Sequence, residues 1–220
     1  MLAELLPSAV ESAEVFGDGS DDGELLPEES ALVAGASEKR RREFTGVRVC
    51  ARLALTRAGV RPAPILPGPT GAPQWPAGMV GSLTHCDGYR AAAVARAEAI
   101  AAIGIDAEPN APLPDGVLAK VATESEQTAL AGLARQAREI SWDRMLFSAK
   151  EAIFKAWSPV TGKWLGFADA EVELDPGGMF TGKLLVAGPQ VGGRPLTSYH
   201  GLWAVDGGVV VTAVIVPAAD

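Results

Sequence analysis

The chain has 220 residues, of which 48% are hydrophobic and 21% are charged. This length suits one full domain or two small halves that share a core, and the composition excludes collagen-like, coiled-coil and wholly disordered chains. The longest apolar run, 209–216, is too short to cross a membrane, and no secretory signal is recognisable. Two cysteines, Cys50 and Cys86, favour a reducing cytoplasm over a disulfide framework.

The net charge of −8 is concentrated at one end of the chain. Ten acids precede the first basic residue, Lys39, and the residues from there onward carry 19 bases against 17 acids, a net charge of +2. A broad basic face for nucleic acid is therefore disfavoured, and we expect neither a nucleic-acid nor a membrane partner.

Helix and strand patterns alternate along the first half. Polar residues 17–23 indicate a loop, and apolar residues at spacings of three and four predict a helix over 37–58, which Gly59 ends. Six prolines between residues 62 and 76 predict an irregular connection. Strands are then predicted over 79–83, 90–95 and 99–108.

The second half repeats this rhythm, although no repeat is visible at the level of residues. Helices are predicted over 123–139 and 141–157, and strands over 169–174, 180–187, 199–205 and 208–216. Each half thus mixes helix and strand, so the predicted fold class is α+β.

Two acids end the strand predicted over 99–108. Alternation along a strand puts Asp106 and Glu108 on the same face, where their carboxylates repel each other unless a cation lies between them. Hard oxygen ligands at this spacing suit Mg²⁺ or Mn²⁺. The same pattern also fits a solvated strand end with two surface acids.

Charged side chains also recur along the two long predicted helices. Glu151 and Lys155, four residues apart, fit either an exposed ion pair or a metal ligand and base beside a lysine that meets a phosphate. Lys150 lies nearer the buried edge, so its ammonium must reach solvent or an anion. A basic stripe near residues 41–52 suits a phosphate group, although a solvated helix face is the commoner explanation.

P-loop, GxGxxG and zinc-binding spacings are absent from the sequence.

These motifs occur in a recognisable order. Three segments of the first half, Arg40-Arg-Arg-Glu-Phe-x-x-x-Arg48, Gly71-Ala-Pro-Gln-Trp-Pro76 and Gly81-Ser-Leu-Thr-His85, are followed by Gly104-Ile-Asp-Ala-Glu108 and Lys150-Glu-Ala-Ile-Phe-Lys155. From about Leu26 to the final strand, the series resembles the 4'-phosphopantetheinyl transferases of the type that activates surfactin and enterobactin synthetases. The actinobacterial branch is the most similar.

The resemblance implies a fold and a reaction. The fold consists of two similar α/β halves, related by pseudo-twofold symmetry, which we expect to span 1–104 and 105–220 and to hold coenzyme A between them. The enzyme transfers the 4'-phosphopantetheine arm of coenzyme A to a serine of an apo acyl or peptidyl carrier protein and releases 3',5'-ADP. Mg²⁺, or alternatively Mn²⁺, is the implied metal. A pseudo-symmetric single chain also suggests a monomer.

By motif match, the resemblance also implies roles for individual residues. Asp106, Glu108 and Glu151 would hold the metal, while Glu151 as base and Lys155 as counter-charge to the departing 3',5'-ADP would carry catalysis. The residues implied to contact coenzyme A are Arg40, Arg48, Ser82, Leu83, Thr84, His85, Lys150 and Lys155. Pro67 stands where related sequences carry a lysine, so we expect no charged contact from this loop.

Two other functions fit parts of the pattern. A metal-dependent phosphodiesterase or nuclease also arranges Asp, Glu and Lys around Mg²⁺, but the nearly neutral body of the chain argues against it. A noncatalytic coenzyme A-binding module would not need all three acids. Metal titration would separate such a module from the transferase.

Overall fold

The computed structural model describes residues 1–17 and 23–218. They form helices and antiparallel sheets in both halves of the chain, which confirms the predicted α+β class. Most of the loop predicted over 17–23 lies outside the described residues. Within the described ranges, no helix combines the length and the apolar character needed to cross a bilayer.

The first half is a three-stranded sheet covered by one long helix. After a short 3-10 helix at Leu2–Leu5, its elements are β1 (Val10–Phe16), α1 (Pro27–Leu32), α2 (Glu38–Arg57), β2 (Met79–Cys86) and β3 (Tyr89–Arg96). The strand order is β1-β3-β2, all antiparallel. Cys50, Ala54 and Leu55 of α2 are fully buried in one cluster with Ala92 and Val94 of β3. The helix predicted over 37–58 is therefore confirmed.

The second half is a five-stranded sheet covered by a second long helix. Its elements are β4 (Ile100–Pro109), α3 (Leu118–Val121), α4 (Glu124–Gln136), α5 (Trp142–Thr161), β5 (Ala170–Asp175), β6 (Met179–Leu184), β7 (Gln190–Val191), β8 (Arg194–Pro195), β9 (Ser198–Asp206) and β10 (Val209–Pro217), with a 3-10 helix at Phe167–Asp169. The order in the large sheet is β4-β10-β9-β6-β5. Met145 and Ile153 of α5 pack with Val210 and Val214 of β10.

The two sheets face each other through the sides that the helices leave free. Ala91 and Ala93 of β3 share a buried cluster with Ile103 and Ile105 of β4 and with Val211 of β10. The molecule thus has a layered core, in which α2 and α5 lie outside and the two sheets lie between them. Because side chains alternate along β4, Asp106 and Glu108 lie on the opposite side of the strand from Ile105, as predicted.

The edges of the two sheets meet where β2 runs beside β4. The Ser82 hydroxyl accepts a hydrogen bond from the Ile105 amide at 3.1 Å, and the Thr84 hydroxyl accepts one from the Ala107 amide at 2.9 Å. Both hydroxyls lie in buried residues, so they replace the strand carbonyls that these amides would otherwise need. This contact joins the halves next to the two candidate metal ligands.

The predicted division between residues 104 and 105 falls inside β4. From Ile100 onward this strand pairs with β10, in the sheet of the second half. The division itself stays a prediction, but the strand that contains it is one continuous element of the larger sheet.

Each half also contains one buried glutamate in the same hydrogen-bonding arrangement. In the first half, Glu29 of α1 accepts from the Leu26 amide that starts its helix, at 3.1 Å, and from Arg52 of α2 at 2.8 Å. Its other carboxylate oxygen accepts from the Ile65 amide at 2.9 Å. One carboxylate thereby holds α1, α2 and the proline-rich connection together.

In the second half, Glu126 makes the corresponding three bonds. One oxygen accepts from the Thr123 amide at 2.7 Å and from Lys150 of α5 at 2.9 Å, and the other accepts from the Val172 amide at 2.7 Å. The two halves therefore share one hydrogen-bonding arrangement. In each, a glutamate in the first turn of a helix binds a cationic side chain of the long helix and a distant backbone amide. This correspondence agrees with the similarity of the halves implied by the family resemblance.

Replacing Glu29 by alanine should lower the free energy of unfolding by about 3 kcal/mol, because it leaves the Arg52 charge and the Ile65 amide without their partner. Urea denaturation measures this loss. Glu28→Ala is the matched control, since Glu28 is the exposed neighbour in the same helical turn. Equal stability of the two variants would contradict the structural role of Glu29.

Candidate active site

The candidate site is a cavity of about 580 Å³ where the two halves meet. Arg40, Arg48 and His85 line it from the first half, and Asp106 and Lys155 line it from the second. Apolar side chains complete the walls, among them Leu32, Phe44, Val47 and Leu83. The structure thus brings together predicted residues from motifs that are far apart in the chain.

An ion pair between β4 and α5 forms part of the cavity wall. Lys155 Nζ is 2.7 Å from Asp106 Oδ1 and 3.1 Å from the Ile105 carbonyl oxygen. Asp106 is buried, and its second oxygen, Oδ2, has no hydrogen-bond partner among the described residues. A buried carboxylate oxygen that lacks a donor is costly unless a further cation or donor approaches it.

The close packing of α5 on β4 sets the geometry of this pair. A Cβ atom added at Gly104 would overlap the Ala152 carbonyl oxygen and lie 2.8 Å from the Ala156 amide nitrogen. Only glycine therefore allows the helix to approach the strand so closely. That approach places Lys155, in the next turn of α5, against Asp106.

The other two candidate metal ligands, Glu108 and Glu151, interact electrostatically with Asp106. Burial raises the pKa of Glu151 above its ordinary value, and the Asp106 carboxylate raises it further. Burial and Asp106 likewise raise the pKa of Glu108, while Arg144, 2.9 Å from Glu108 Oε2, opposes the shift. The three acids are therefore close enough to repel one another.

This donor set fits a divalent metal, although no group of three His, Cys, Asp or Glu side chains is already gathered as a metal cluster within residues 1–17 and 23–218. Three carboxylates supply the hard oxygen ligands that Mg²⁺ and Mn²⁺ prefer. The unpartnered Oδ2 of Asp106 is the buried atom that such a cation would satisfy.

The other end of the cavity is basic. Arg40 Nη1 lies 3.2 Å from His85 Nε2, and Glu43 lies 3.6 Å from the same nitrogen. Burial lowers the pKa of His85, an effect that Glu43 opposes. Arg48 is buried and lies over the Phe44 ring, 3.9 Å from its centroid, and burial lowers its pKa to about 10. This end can receive a phosphate beside an apolar surface.

A second cavity of about 300 Å³ adjoins the first at Leu83 and Lys155. Its walls are mainly apolar and include Phe154, Pro159 and Trp164. The Trp164 ring is 76% exposed and packs on Phe154 with 4.7 Å between ring centroids. Trp164 was not singled out from the sequence, because it follows α5 in an irregular segment where no periodic pattern marks it.

Two of the predicted contact residues have their polar groups engaged elsewhere. Lys150 Nζ is buried and bonded to Glu126 and to the carbonyl oxygens of Val121, Phe167 and Ala170 at 2.7–3.1 Å. The Lys150 ammonium is therefore held in the interior of the second half. Ser82 reaches the wall of the smaller cavity, but its hydroxyl is bonded to β4.

Thr84 and Pro67 both line the larger cavity. The Thr84 hydroxyl accepts from the Ala107 amide and lies 3.5 Å from Asp106 Oδ1. Pro67 contributes no charge to the wall at this position.

Comparison with known proteins identifies the class. A model of the 4'-phosphopantetheinyl transferase N-terminal domain matches residues 28–95, and a model of the 4'-phosphopantetheinyl transferase superfamily matches residues 102–206. The chain therefore belongs to the 4'-phosphopantetheinyl transferase superfamily, and the resemblance stated from its motifs is confirmed.

Full-length relatives make the assignment more specific. The chain is 57% identical to 4'-phosphopantetheinyl transferase Svp of Streptomyces mobaraensis, over 99% of this chain and 90% of that protein. It is 48% identical to PptT of Mycobacterium tuberculosis, over 86% and 85% of the two chains, and 47% identical to Npt of Nocardia iowensis, over 97% and 99%. It is accordingly a phosphopantetheinyl transferase of the actinobacterial branch, and the nuclease and noncatalytic alternatives are set aside.

Gly104→Ala should impair both stability and transfer, because the added methyl group pushes α5 away from β4 and Lys155 away from Asp106. We expect a loss of about 1–3 kcal/mol in the free energy of unfolding. Urea denaturation and the rate of arm transfer at saturating coenzyme A measure the two effects.

Gly132→Ala in α4 is the control for this substitution. A Cβ atom there meets no described atom within 4 Å outside its chain neighbours and the backbone of its own helix, so the change should leave transfer unaltered and favour the helix slightly. Wild-type activity of Gly104→Ala would contradict the proposed constraint.

Proposed function

We propose that this transferase binds coenzyme A along the two joined cavities and transfers its arm beside Asp106, Glu108, Glu151 and Lys155. The observation that carries this proposal is the Asp106–Lys155 pair, with one buried carboxylate oxygen unpartnered, at the junction of a basic cavity and an apolar one. Coenzyme A has the same order of parts: a charged nucleotide, a pyrophosphate and a largely uncharged arm.

The orientation of coenzyme A follows from the charges. Arg40 and His85 suit its 3'-phosphate, and the apolar wall beside Phe44 and Leu32 suits the adenine ring. The pyrophosphate then lies near Lys155, where the cavities join, and the arm extends between Leu83 and Phe154 toward Trp164. Arg48 supports this wall through its contact with Phe44.

The reaction is a phosphoryl transfer. The carrier serine oxygen forms a bond to the phosphorus that bears the arm, and the bond from that phosphorus to the bridging pyrophosphate oxygen breaks. The serine proton passes to a base, and 3',5'-ADP leaves with the electron pair of the broken bond. Such transfers depend mainly on positioning and on neutralising charge at the phosphate oxygens.

The residues of the junction divide these tasks. Asp106, Glu108 and Glu151 would hold Mg²⁺, which when bound offsets negative charge on the pyrophosphate. Glu151 is the candidate base for the serine proton, because its carboxylate interacts electrostatically with both Asp106 and Lys155 at the proposed transfer site. Lys155 offsets the charge that develops on the departing 3',5'-ADP.

We also propose that the enzyme acts as a cytoplasmic monomer. Both halves of a single chain supply the walls of the cavity, so a second chain is not needed to complete it. Cys50 and Cys86 are unpaired thiols, which suits a reducing compartment.

Intact-protein mass spectrometry of an apo carrier protein tests the site. With coenzyme A and Mg²⁺, the wild-type enzyme should add one phosphopantetheine arm and release 3',5'-ADP. Asp106→Asn and Glu151→Gln should slow transfer by on the order of 100-fold or more, since each removes a metal ligand or the base. Glu98→Gln, at an exposed acid, is the control. Wild-type rates in both site variants would rule out this assignment.

Binding titrations test the orientation of coenzyme A. Arg40→Ala should raise its dissociation constant about 10-fold, as expected for the loss of a charge-assisted hydrogen bond. The effect should disappear with dephospho-coenzyme A, which lacks the 3'-phosphate. Arg42→Ala is the control, because Arg42 lies on the same helix but pairs with Glu38 at 2.7 Å. An equal loss of affinity for both ligands would place the 3'-phosphate elsewhere.

A further inference from the structure

The start of α5 is tied to the loop that follows β4. The Asn110 side chain accepts from the Ser141 amide at 2.9 Å and donates to the Glu139 carbonyl oxygen at 2.8 Å. Asp143 accepts from the Leu113 amide at 2.8 Å. The strand that carries Asp106 and Glu108 therefore leaves directly into a loop that α5 holds in place.

Arg144 extends this connection to a candidate metal ligand. Its guanidinium donates to Glu108 Oε2 at 2.9 Å and to the carbonyl oxygens of Ala111 and Pro112 at 3.0 and 2.9 Å. These three bonds use three different nitrogen atoms of the planar group, so the loop fixes the orientation of the guanidinium. Arg144 lies outside the sequence motifs that indicated the site.

We propose that Arg144 is a positioning residue for Glu108. It holds Oε2 and leaves Oε1 as the oxygen that approaches the divalent cation. This inference rests on the metal site of the proposed function.

The local charges explain why such a residue is needed. Glu108 is half-buried at the end of β4 and lies near the carboxylates of Asp106 and Glu151, which repel it. A glutamate with a free side chain would rotate away from this repulsion toward solvent. Two hydrogen bonds to backbone carbonyl oxygens hold Arg144 independently of Glu108. The guanidinium can therefore keep the Glu108 carboxylate close to the other two acids. Partners that orient metal ligands in this way typically change metal affinity by about 10–100-fold when they are removed.

Mn²⁺ binding provides a test that does not depend on turnover. The electron paramagnetic resonance signal of free Mn²⁺, followed during titration with enzyme, gives the dissociation constant with and without coenzyme A. We expect Arg144→Ala to weaken Mn²⁺ binding by about 10–100-fold and Arg144→Lys, which keeps the charge but not the planar fork, to be intermediate. Arg135→Ala, at an exposed arginine of α4, should bind as the wild type does.

A double-mutant cycle separates positioning from general damage. In a Glu108→Gln background, Arg144→Ala should cause little further loss, because the group it orients has already been altered. Thermal unfolding of each variant shows whether it is folded. If Arg144→Ala is not folded, Arg144→Lys replaces it in the cycle.

The outcomes are distinguishable. Unchanged or tighter Mn²⁺ binding by folded Arg144 variants would overturn this inference alone. Additive losses in the cycle would also overturn it, since Arg144 would then act independently of Glu108. Failure of the wild type to bind Mn²⁺, with or without coenzyme A, would overturn the metal site and this inference together.

Discussion

The contact between α5 and β4 at Gly104 is the constraint on which the site depends. Because a side chain there would overlap the Ala152 carbonyl, the helix can lie directly on the strand only if this residue is glycine. The resulting distance between α5 and β4 is short enough for Lys155 of the helix to reach Asp106 of the strand. Gly104 and Asp106 of one motif and Lys155 of another thus form one geometric unit, which sets the positions of the two charges.

The second requirement is that the two halves be held in register. The hydroxyls of Ser82 and Thr84 accomplish this by accepting hydrogen bonds from amides of β4, so that the two sheets meet without a continuous ladder. The same segment carries His85 to the basic end of the cavity. Thr84 therefore both lines the cavity and joins the two halves. A substitution of Thr84 would be expected to affect both the cavity and the contact between the halves.

The corresponding buried glutamates show how the halves resemble each other. Glu29 and Glu126 make the same three kinds of hydrogen bond, yet their cationic partners are an arginine in one half and a lysine in the other. No repeat is visible in the sequence, because the distant amide and the cation need not be at matching spacings along the chain. β1 was missed for a related reason: its burial does not alternate, and pairing with the distant β3 specifies it.

The sequence by itself determined the family, the two long helices and the shared face of Asp106 and Glu108, since motif order, helical periodicity and strand alternation are properties of short segments. Only the tertiary structure decided that Lys155 faces the cavity while Lys150 lies in the interior of its own half. The same holds for the meeting of Arg144 with Glu108. These outcomes depend on the rotation of α5 about its axis and its distance from β4, which are set by packing between elements that the chain brings together from far apart.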